Sequence, residues 1–263
     1  MTPTSDQPVD RRGPQRLVPL TLGWQCLDRS VALDGHAPGT TDVIPIPGWV
    51  IEHPDGLVLY DTGFDPTADA VELAFPGFPP PDVIALPQAL AAAGYDLDDV
   101  GDVVLSHLMV DHAGGLRTLR PRTRVWVQAA EWDFALGAGA ASPAYRPRDL
   151  EGIDVEVRLV DGEAEPWPGV RLVPTPGHCP GHQSLAVHLP DGWIVLAADA
   201  ADLQANLTAR IAPGILLQGR DEALASLDRL RHLGAELGAL VLPGHDPDVW
   251  ATLPPALGQL TLR

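Results

Sequence analysis

Ser106-His107-Leu108-Met109-Val110-Asp111-His112-Ala113-Gly114-Gly115 is the stretch on which the reading of this 263-residue chain turns. It follows Val103-Val104-Leu105, an apolar run that reads as a buried strand, so its polar side chains fall where a strand ends and a cleft can open. His107, Asp111 and His112 offer two imidazoles and a carboxylate within six residues, the donors that zinc and similar divalent cations bind best. Met109 brings a thioether, a soft and weak donor for zinc. The turn Ala113-Gly114-Gly115 then opens toward a helix.

Three later positions repeat the pattern of a donor just past an apolar run. They are His178 in Thr175-Pro176-Gly177-His178, Asp199 in Leu196-Ala197-Ala198-Asp199, and His245 in Leu242-Pro243-Gly244-His245-Asp246. The Pro-Gly pairs give tight turns that fix the direction of the donor after them. A loop holding several donors in six residues can grip two cations only if other segments close the cage, and His178, Asp199 and His245 are the closers. Each has a plainer reading: a lone histidine is most often a packing or surface residue, as His36, His53, His188 and His232 are read, and Asp199 alone is as well explained as a helix cap. The His-x-x-x-Asp-His cluster together with two later Gly-His strand ends favours the metal. His182 is read as structural or as support for a ligand. Asp61, in Tyr60-Asp61-Thr62-Gly63, is either a turn residue or a carboxylate that holds a ligand imidazole by its far nitrogen. Cys179, beside His178, is read as an inert filler.

Outward from these clusters the chain alternates short apolar runs with turns. Strands are expected at Leu17–Leu22, Val43–Ile46, Trp49–Glu52 and Leu57–Tyr60, the last two joined by His53-Pro54-Asp55-Gly56 as a hairpin. Leu86–Ala93 reads as a helix closed by Gly94, Arg124–Gln128 as a strand and Ala129–Leu136 as a helix, before an irregular stretch at 142–152. Strands follow at Val155–Val160, Val170–Val173, Ser184–His188, Trp193–Ala197 and Ala239–Leu242. Between the last two a helix is expected from Asp221 to Leu233, stopped by Gly234 and apolar along Leu224, Leu227, Leu230 and Arg231. The Pro-rich segment 75–87 reads as a rim over a cleft. Residues 1–15 read as a disordered tail and 16–263 as one domain with two comparable halves, which favours two stacked sheets with helices outside.

The net charge of −18 argues against a nucleic-acid partner, since phosphate binding needs a basic stripe. Part of that acidity is formal if carboxylates ligate cations. Two cysteines, Cys26 and Cys179, make neither a disulfide framework nor a cysteine zinc site. No apolar run is long enough to span a bilayer, and residues 1–16 lack the apolar core of a secretory signal. A cytoplasmic protein acting on a small molecule is expected, with no membrane partner and with a homodimer left open.

Taken together these residues resemble the metallo-β-lactamase fold superfamily, whose signature is His-x-His-x-Asp-His followed by later His, Asp and His ligands. The likeness runs from about Leu17 to His245. Asp28-Arg29-Ser30, Ile51-Glu52-His53-Pro54, Asp61-Thr62-Gly63-Phe64, Thr175-Pro176-Gly177-His178 and Gly244-His245-Asp246 look like the N-acyl homoserine lactonase branch. The resemblance implies an α/β fold, an αβ/βα four-layer sandwich of two mixed sheets with helices outside and the metals between them. It implies a first ion on His107, position 109 and His178, a second on Asp111, His112 and His245, and Asp199 bridging. Met109 departs from the signature and leaves the first ion with His107, His178 and Asp199, a set that suits weakly held zinc or Fe2+, with Mn2+ a further alternative. The second ion is therefore expected to be the better occupied. Lactonases of this branch carry a Tyr three residues after the bridging Asp, where it contacts the substrate carbonyl; here that position is Asp202.

The expected activity is hydrolysis of a lactone or other ester by a metal-bound hydroxide, with Asp111 orienting the nucleophile and returning its proton to the leaving oxygen. The rim at 75–81 would select the acyl portion, and Trp24 and Trp49 are candidates for an acyl pocket, though core packing explains them as well. The same ligands would serve a thioesterase, an amidase or a β-lactamase-like hydrolase. An Fe2+-dependent oxidoreductase and a non-catalytic binding protein that keeps the fold are the alternatives from other classes.

Overall fold

The computed structural model describes residues 12–258. A seven-stranded sheet is built from β1 (Arg16–Asp28), β2 (Thr41–His53), β3 (Gly56–Tyr60), β4 (Asp82–Val83), β5 (Val100–Val104), β6 (Arg124–Gln128) and β7 (Glu156–Val160), in the order β4-β1-β2-β3-β5-β6-β7. A five-stranded sheet follows from β8 (Ala164–Trp167), β9 (Val170–Pro174), β10 (Gln183–Leu189), β11 (Gly192–Leu196) and β12 (Leu240–Leu242), in the order β12-β11-β10-β9-β8. Both are mixed: β3, β5, β6 and β7 run parallel while β1 to β3 are antiparallel, and only β12 runs parallel to its neighbour in the second sheet.

Each strand's alternation decides which layer it feeds. Leu17, Ile51, Val58 and Tyr60 of the first sheet meet Leu172, Leu185, Val187 and Leu196 of the second in the core between the sheets. The other face of the first sheet packs Val103, Leu105 and Val125 with Leu86 and Leu90 of the helix Leu86–Ala93. The outer face of the second packs Ala186 and Val195 with Leu224, Leu227 and Leu230 of the helix Arg220–Leu237. The result is helix, sheet, sheet, helix, as the resemblance implied.

Three local departures from the sequence reading have physical causes. The two strands expected at 43–46 and 49–52 are one strand, β2, which runs through Pro45 and Pro47. It tolerates them because β3 covers only Trp49–His53, so the first half of β2 is paired on the β1 side alone and needs no donor on the other. The helix expected to stop at Gly234 continues to Leu237 and is capped by Gly238 in the left-handed region, φ 61°. Gly234 is there for packing: a Cβ on it would sit 2.7 Å from a Val241 methyl on β12. Arg231 is exposed rather than part of the apolar face, and Asp221 lies in the first turn, where its charge suits the helix dipole, while Gly219 is the cap. Strand β8, Ala-Glu-Pro-Trp, was unread because a Pro-bearing edge strand shows no β-branched alternation.

Of the tail expected over 1–15, residues 1–11 lie outside the described residues. Gly13 and Pro14 are buried, and the Gln15 amide donates to the Glu52 carbonyl, extending the β1–β2 pairing. Among the described residues no helix is long and apolar enough to cross a membrane, and Cys26 and Cys179 are both free thiols.

Candidate metal centre

The donors named from sequence leave from the strand ends that face one another across the sandwich. Ser106 and His107 follow β5, and a single helical turn, Val110–Ala113, carries Asp111 and His112. Asp199 stands in a 3-10 turn after β11, His178 in the loop after β9, and His245 just past β12. Gly114 and Gly115 let the 61–65 loop press onto this turn, since a Cβ on either would come within 2.3 Å of the backbone at Asp65 or Thr62. His107, His112, His178, His182, His245 and Asp199 are all buried, and Asp111 is half-buried at the edge.

Asp199 stands at the middle. Its Oδ1 lies 3.1 Å from His112 Nε2 and 3.0 Å from His245 Nε2. Its Oδ2 lies 3.6 Å from His178 Nε2 and 4.0 Å from His107 Nε2. One carboxylate thus turns an oxygen toward each of two groups of imidazoles. Asp111 Oδ2 joins the first oxygen's group, 3.6 Å from His112 Nε2.

Every one of these rings is anchored by Nδ1, which decides what its Nε2 can do. His245 Nδ1–H donates to the Pro45 carbonyl at 2.8 Å, an oxygen on the half of β2 that β3 leaves uncovered. His178 Nδ1–H donates to the Ile215 carbonyl at 3.1 Å, and His112 Nδ1–H to Asp61 Oδ2 at 2.9 Å. Ser106 Oγ spends its proton on Asp61 Oδ2, so at 3.0 Å from His107 Nδ1 it accepts. Asp61, held at φ 62°, therefore fixes His112 directly and His107 through Ser106. Among the described residues the Nε2 atoms of His107 and His182 are buried without a hydrogen-bond partner, while that of His112 faces Asp199 Oδ1 at 3.1 Å. Buried nitrogens aimed together and unsatisfied are the mark of ligands rather than of packing. A ring nitrogen or carboxylate oxygen each from Asp111, His112 and His245 lie within 4.8 Å of one another, and Asp199, Asp202 and His245 form a second such set, so these residues fit a divalent cation.

The electrostatics of the metal-free chain separate the two groups. Burial pushes down the basicity of His107 and His178, and brings His182 to about 3, leaving neutral rings. Burial opposes charge on His245 too, but Asp199 beside it prevails and lifts it to about 9; His112 is raised likewise by Asp199, Asp111 and Asp61 against its burial. Burial would raise Asp199, but His112, His245 and His107 hold it well below the usual carboxylate range. Burial and then the charge of Asp199 push Asp202 up. His245 in the folded, metal-free chain thus keeps its proton from its ordinary 6.5 up to about 9. That stabilisation is complete below 6.5 and lost as pH rises through 9. The chelator-treated protein is expected to melt at progressively lower temperature over that window. Protein loaded with a divalent cation is expected to show no such slope, because a ligating His245 has no proton to lose; a flat profile for the stripped protein would contradict this.

Met109 packs in the core of the first sheet, with its sulfur 3.3 Å from His178 Nε2. Asp202 is buried and lines the cleft above Asp199. Trp49 belongs to the core between the sheets, edge-on to Trp250 at 5.6 Å, and neither it nor Trp24 lines the cleft. The Cys179 thiol is fully buried and pushed up by that burial and by Glu131, which leaves it no thiolate chemistry. The cleft itself has about 970 Å³ of empty space counting its open mouth. Its floor is Asp111, His178, Asp199 and His245, and its walls are mostly apolar, including Val31, Leu73, Phe75, Val110 and Leu203. Phe75 and Pro76 bring the Pro-rich rim to it. Glu131, unremarked in the sequence, accepts from the Leu108 and Gly181 amides and so ties the 107–112 turn to the 178–182 loop.

A family model described as the metallo-beta-lactamase superfamily matches residues 41–245. N-acyl homoserine lactonase AttM of Rhizobium radiobacter is 31% identical over 226 residues, 79% of this chain and 84% of that protein. The N-acyl homoserine lactonase of Bacillus cereus is 30% identical over 246 residues, 88% and 93%. A solved N-acyl homoserine lactone hydrolase with its product N-hexanoyl-L-homoserine bound at the catalytic metal centre superposes with a TM-score of 0.82 at 27% identity, covering 92% of this chain and 97% of that one.

Proposed function

This chain belongs to the metallo-beta-lactamase superfamily, and on that premise we propose that it is a metal-dependent lactonase that opens N-acyl homoserine lactones. The observation that carries the proposal is Asp199, whose two oxygens each face a separate group of buried, Nδ1-anchored imidazoles. Zinc is the ion we propose, on the chemistry of a set made of imidazole and carboxylate; His107, His178 and Asp199 would hold one ion, and Asp111, His112, His245 and Asp199 the other. Bound there, such an ion supplies Lewis acidity to the carbonyl and makes water a nucleophile near neutral pH.

The chain's own groups do the rest. Asp111, half-buried on the cleft floor with its Oδ2 3.6 Å from His112 Nε2, is placed to take a proton from the attacking water and return it to the ring oxygen. Water adds to the lactone carbonyl, the ring C–O bond breaks, and the proton goes to the departing oxygen, which yields an N-acyl homoserine. Val31, Leu73, Phe75 and Leu203 offer the acyl chain an apolar wall, while Asp202 lines the same cleft at the position nearest the substrate carbonyl by family likeness. Asp61 and Ser106 touch no substrate and act by orienting His107 and His112.

The net charge of −18 supports a small-molecule partner over nucleic acid, and two free thiols suit a cytoplasmic location. The test is turnover of N-acyl homoserine lactones of graded chain length by zinc-loaded protein, followed by acid release. Chelator-sensitive opening is expected, with longer chains preferred by the apolar wall. Absence of turnover on every lactone at full zinc occupancy would overturn the assignment.

A further inference from the structure

His182 is the histidine that the metal reading above leaves idle, and its surroundings fix what it can do. It is fully buried, its ring 5.3 Å from that of His107 and 6.1 Å from that of His178. Its Nδ1 lies 2.8 Å from Thr175 Oγ1, which lies 2.8 Å from Ser184 Oγ. Ser184 Oγ–H donates to the Ala197 carbonyl at 3.0 Å. Each hydroxyl has one proton to give, so the chain runs one way. Ser184 has spent its proton and accepts from Thr175; Thr175 has spent its own and accepts from His182 Nδ1–H. The ring is thereby held as the tautomer with a bare Nε2, and that Nε2 is buried with no hydrogen-bond partner among the described residues. An imidazole with merely a packing role would not be given a three-member relay that fixes its tautomer and an orphaned acceptor that costs roughly 1–3 kcal/mol to bury.

We infer that His182 is a ligand of the first ion, replacing the imidazole that Met109 does not supply. The inference rests on the metal reading of this site and corrects its first ligand set. Donor atoms of His107, His182 and Asp199 lie within 4.8 Å of one another. Met109, which packs in the core and also lines the cleft, rests its sulfur 3.3 Å from His178 Nε2 and offers no nitrogen donor there. With His182 the first ion has two imidazoles and a carboxylate already gathered, His107, His182 and Asp199, and His178, whose Nε2 lies 3.6 Å from Asp199 Oδ2, stands beside that set. The expectation that Met109 leaves this position starved of nitrogen donors is then replaced by a shift of the third imidazole from one loop to another.

Zinc titration of the chelator-stripped chain, read by calorimetry and by elemental analysis after gel filtration, tests this without reference to turnover. The native chain is expected to take up two equivalents and His182→Asn one. Met109→Leu is expected to keep both. Thr175→Val, which leaves His182 in place but removes its acceptor, is expected to weaken one ion about tenfold, and Thr175→Ser to restore it. Thermal melts of the stripped proteins show whether each variant is folded, and if His182→Asn is not, the Thr175 pair decides. Uptake by His182→Asn, or by Thr175→Val, equal to that of the native chain overturns the inference. A native chain that takes up no zinc overturns the metal reading beneath it, and that failure is visible in the native protein alone.

Discussion

Asp199→Ala is expected to empty both ion positions and to reduce lactone opening by more than a hundredfold, since even partners one shell removed from a metal cost roughly 10–100-fold when lost. Asp111 and Asp202 stand near His245, but it is Asp199 whose two oxygens face both groups: Oδ1 faces His112 and His245, and Oδ2 faces His107 and His178. The stripped variant should also titrate differently. Without Asp199 beside it, burial weighs more heavily on His245 and lowers its pKa from about 9, so the slope of melting temperature between pH 6.5 and 9 should become shallower. Asp199→Asn keeps the shape and one neutral oxygen donor, and is expected to hold zinc more weakly than the native chain but better than the alanine variant. Elemental analysis, lactone turnover and melts of the three proteins check these points together. Undiminished zinc in Asp199→Ala would show that the two groups of imidazoles do not share a carboxylate.

The convergence of the candidate donors was legible because such residues obey local grammar. His107, Asp111, His112, Asp199 and His245 each stand just past an apolar run, and strand ends on one side of a sandwich converge whatever lies between them. The hairpin at 53–56 and the helix ending at Gly94 were legible for the same reason, since turn and cap chemistry is written in neighbouring residues. What failed was non-local. Gly234 carries the mark of a helix stop, yet it is small because β12 crosses it at Val241, 7 residues on in sequence and visible only once the strand is placed. Pro45 and Pro47 look like breaks, and only the shortness of β3 makes them harmless. His182 sits in a Gly-His pair like His178 and His245, so its sequence context matched theirs; its bare Nε2 follows from a relay through Thr175 and Ser184 that belongs to two different strand ends.

Glu131 was the least legible of all, because an acidic residue in the first turn of the helix Ala129–Leu136 is what a solvated helix start would carry. It is instead fully buried. Its Oε1 accepts from the Leu108 amide at 3.0 Å and the Tyr145 hydroxyl at 2.7 Å, and its Oε2 from the Gly181 amide at 3.2 Å. Leu108 follows His107 and Gly181 precedes His182, so one side chain ties together the two loops that carry the proposed ligands. Glu131→Ala strands three buried donors, each costing about 1–3 kcal/mol, so a loss of roughly 3 kcal/mol or more is expected in denaturant melts of the stripped protein. Zinc affinity should fall as well, by about 10–100-fold, as the 107–112 and 178–182 loops lose their common anchor. Glu131→Gln separates the two sides of the carboxylate. With its oxygen toward Leu108 and Tyr145, its amide nitrogen must face the Gly181 N–H, donor against donor, so the defect should fall between native and alanine and should appear at the His182 side of the site. Exposed Glu163→Ala, remote from the loops, is the control and is expected within about 0.5 kcal/mol of native. If Glu131→Ala melted and bound zinc as the control does, the two loops would be held by something other than this carboxylate.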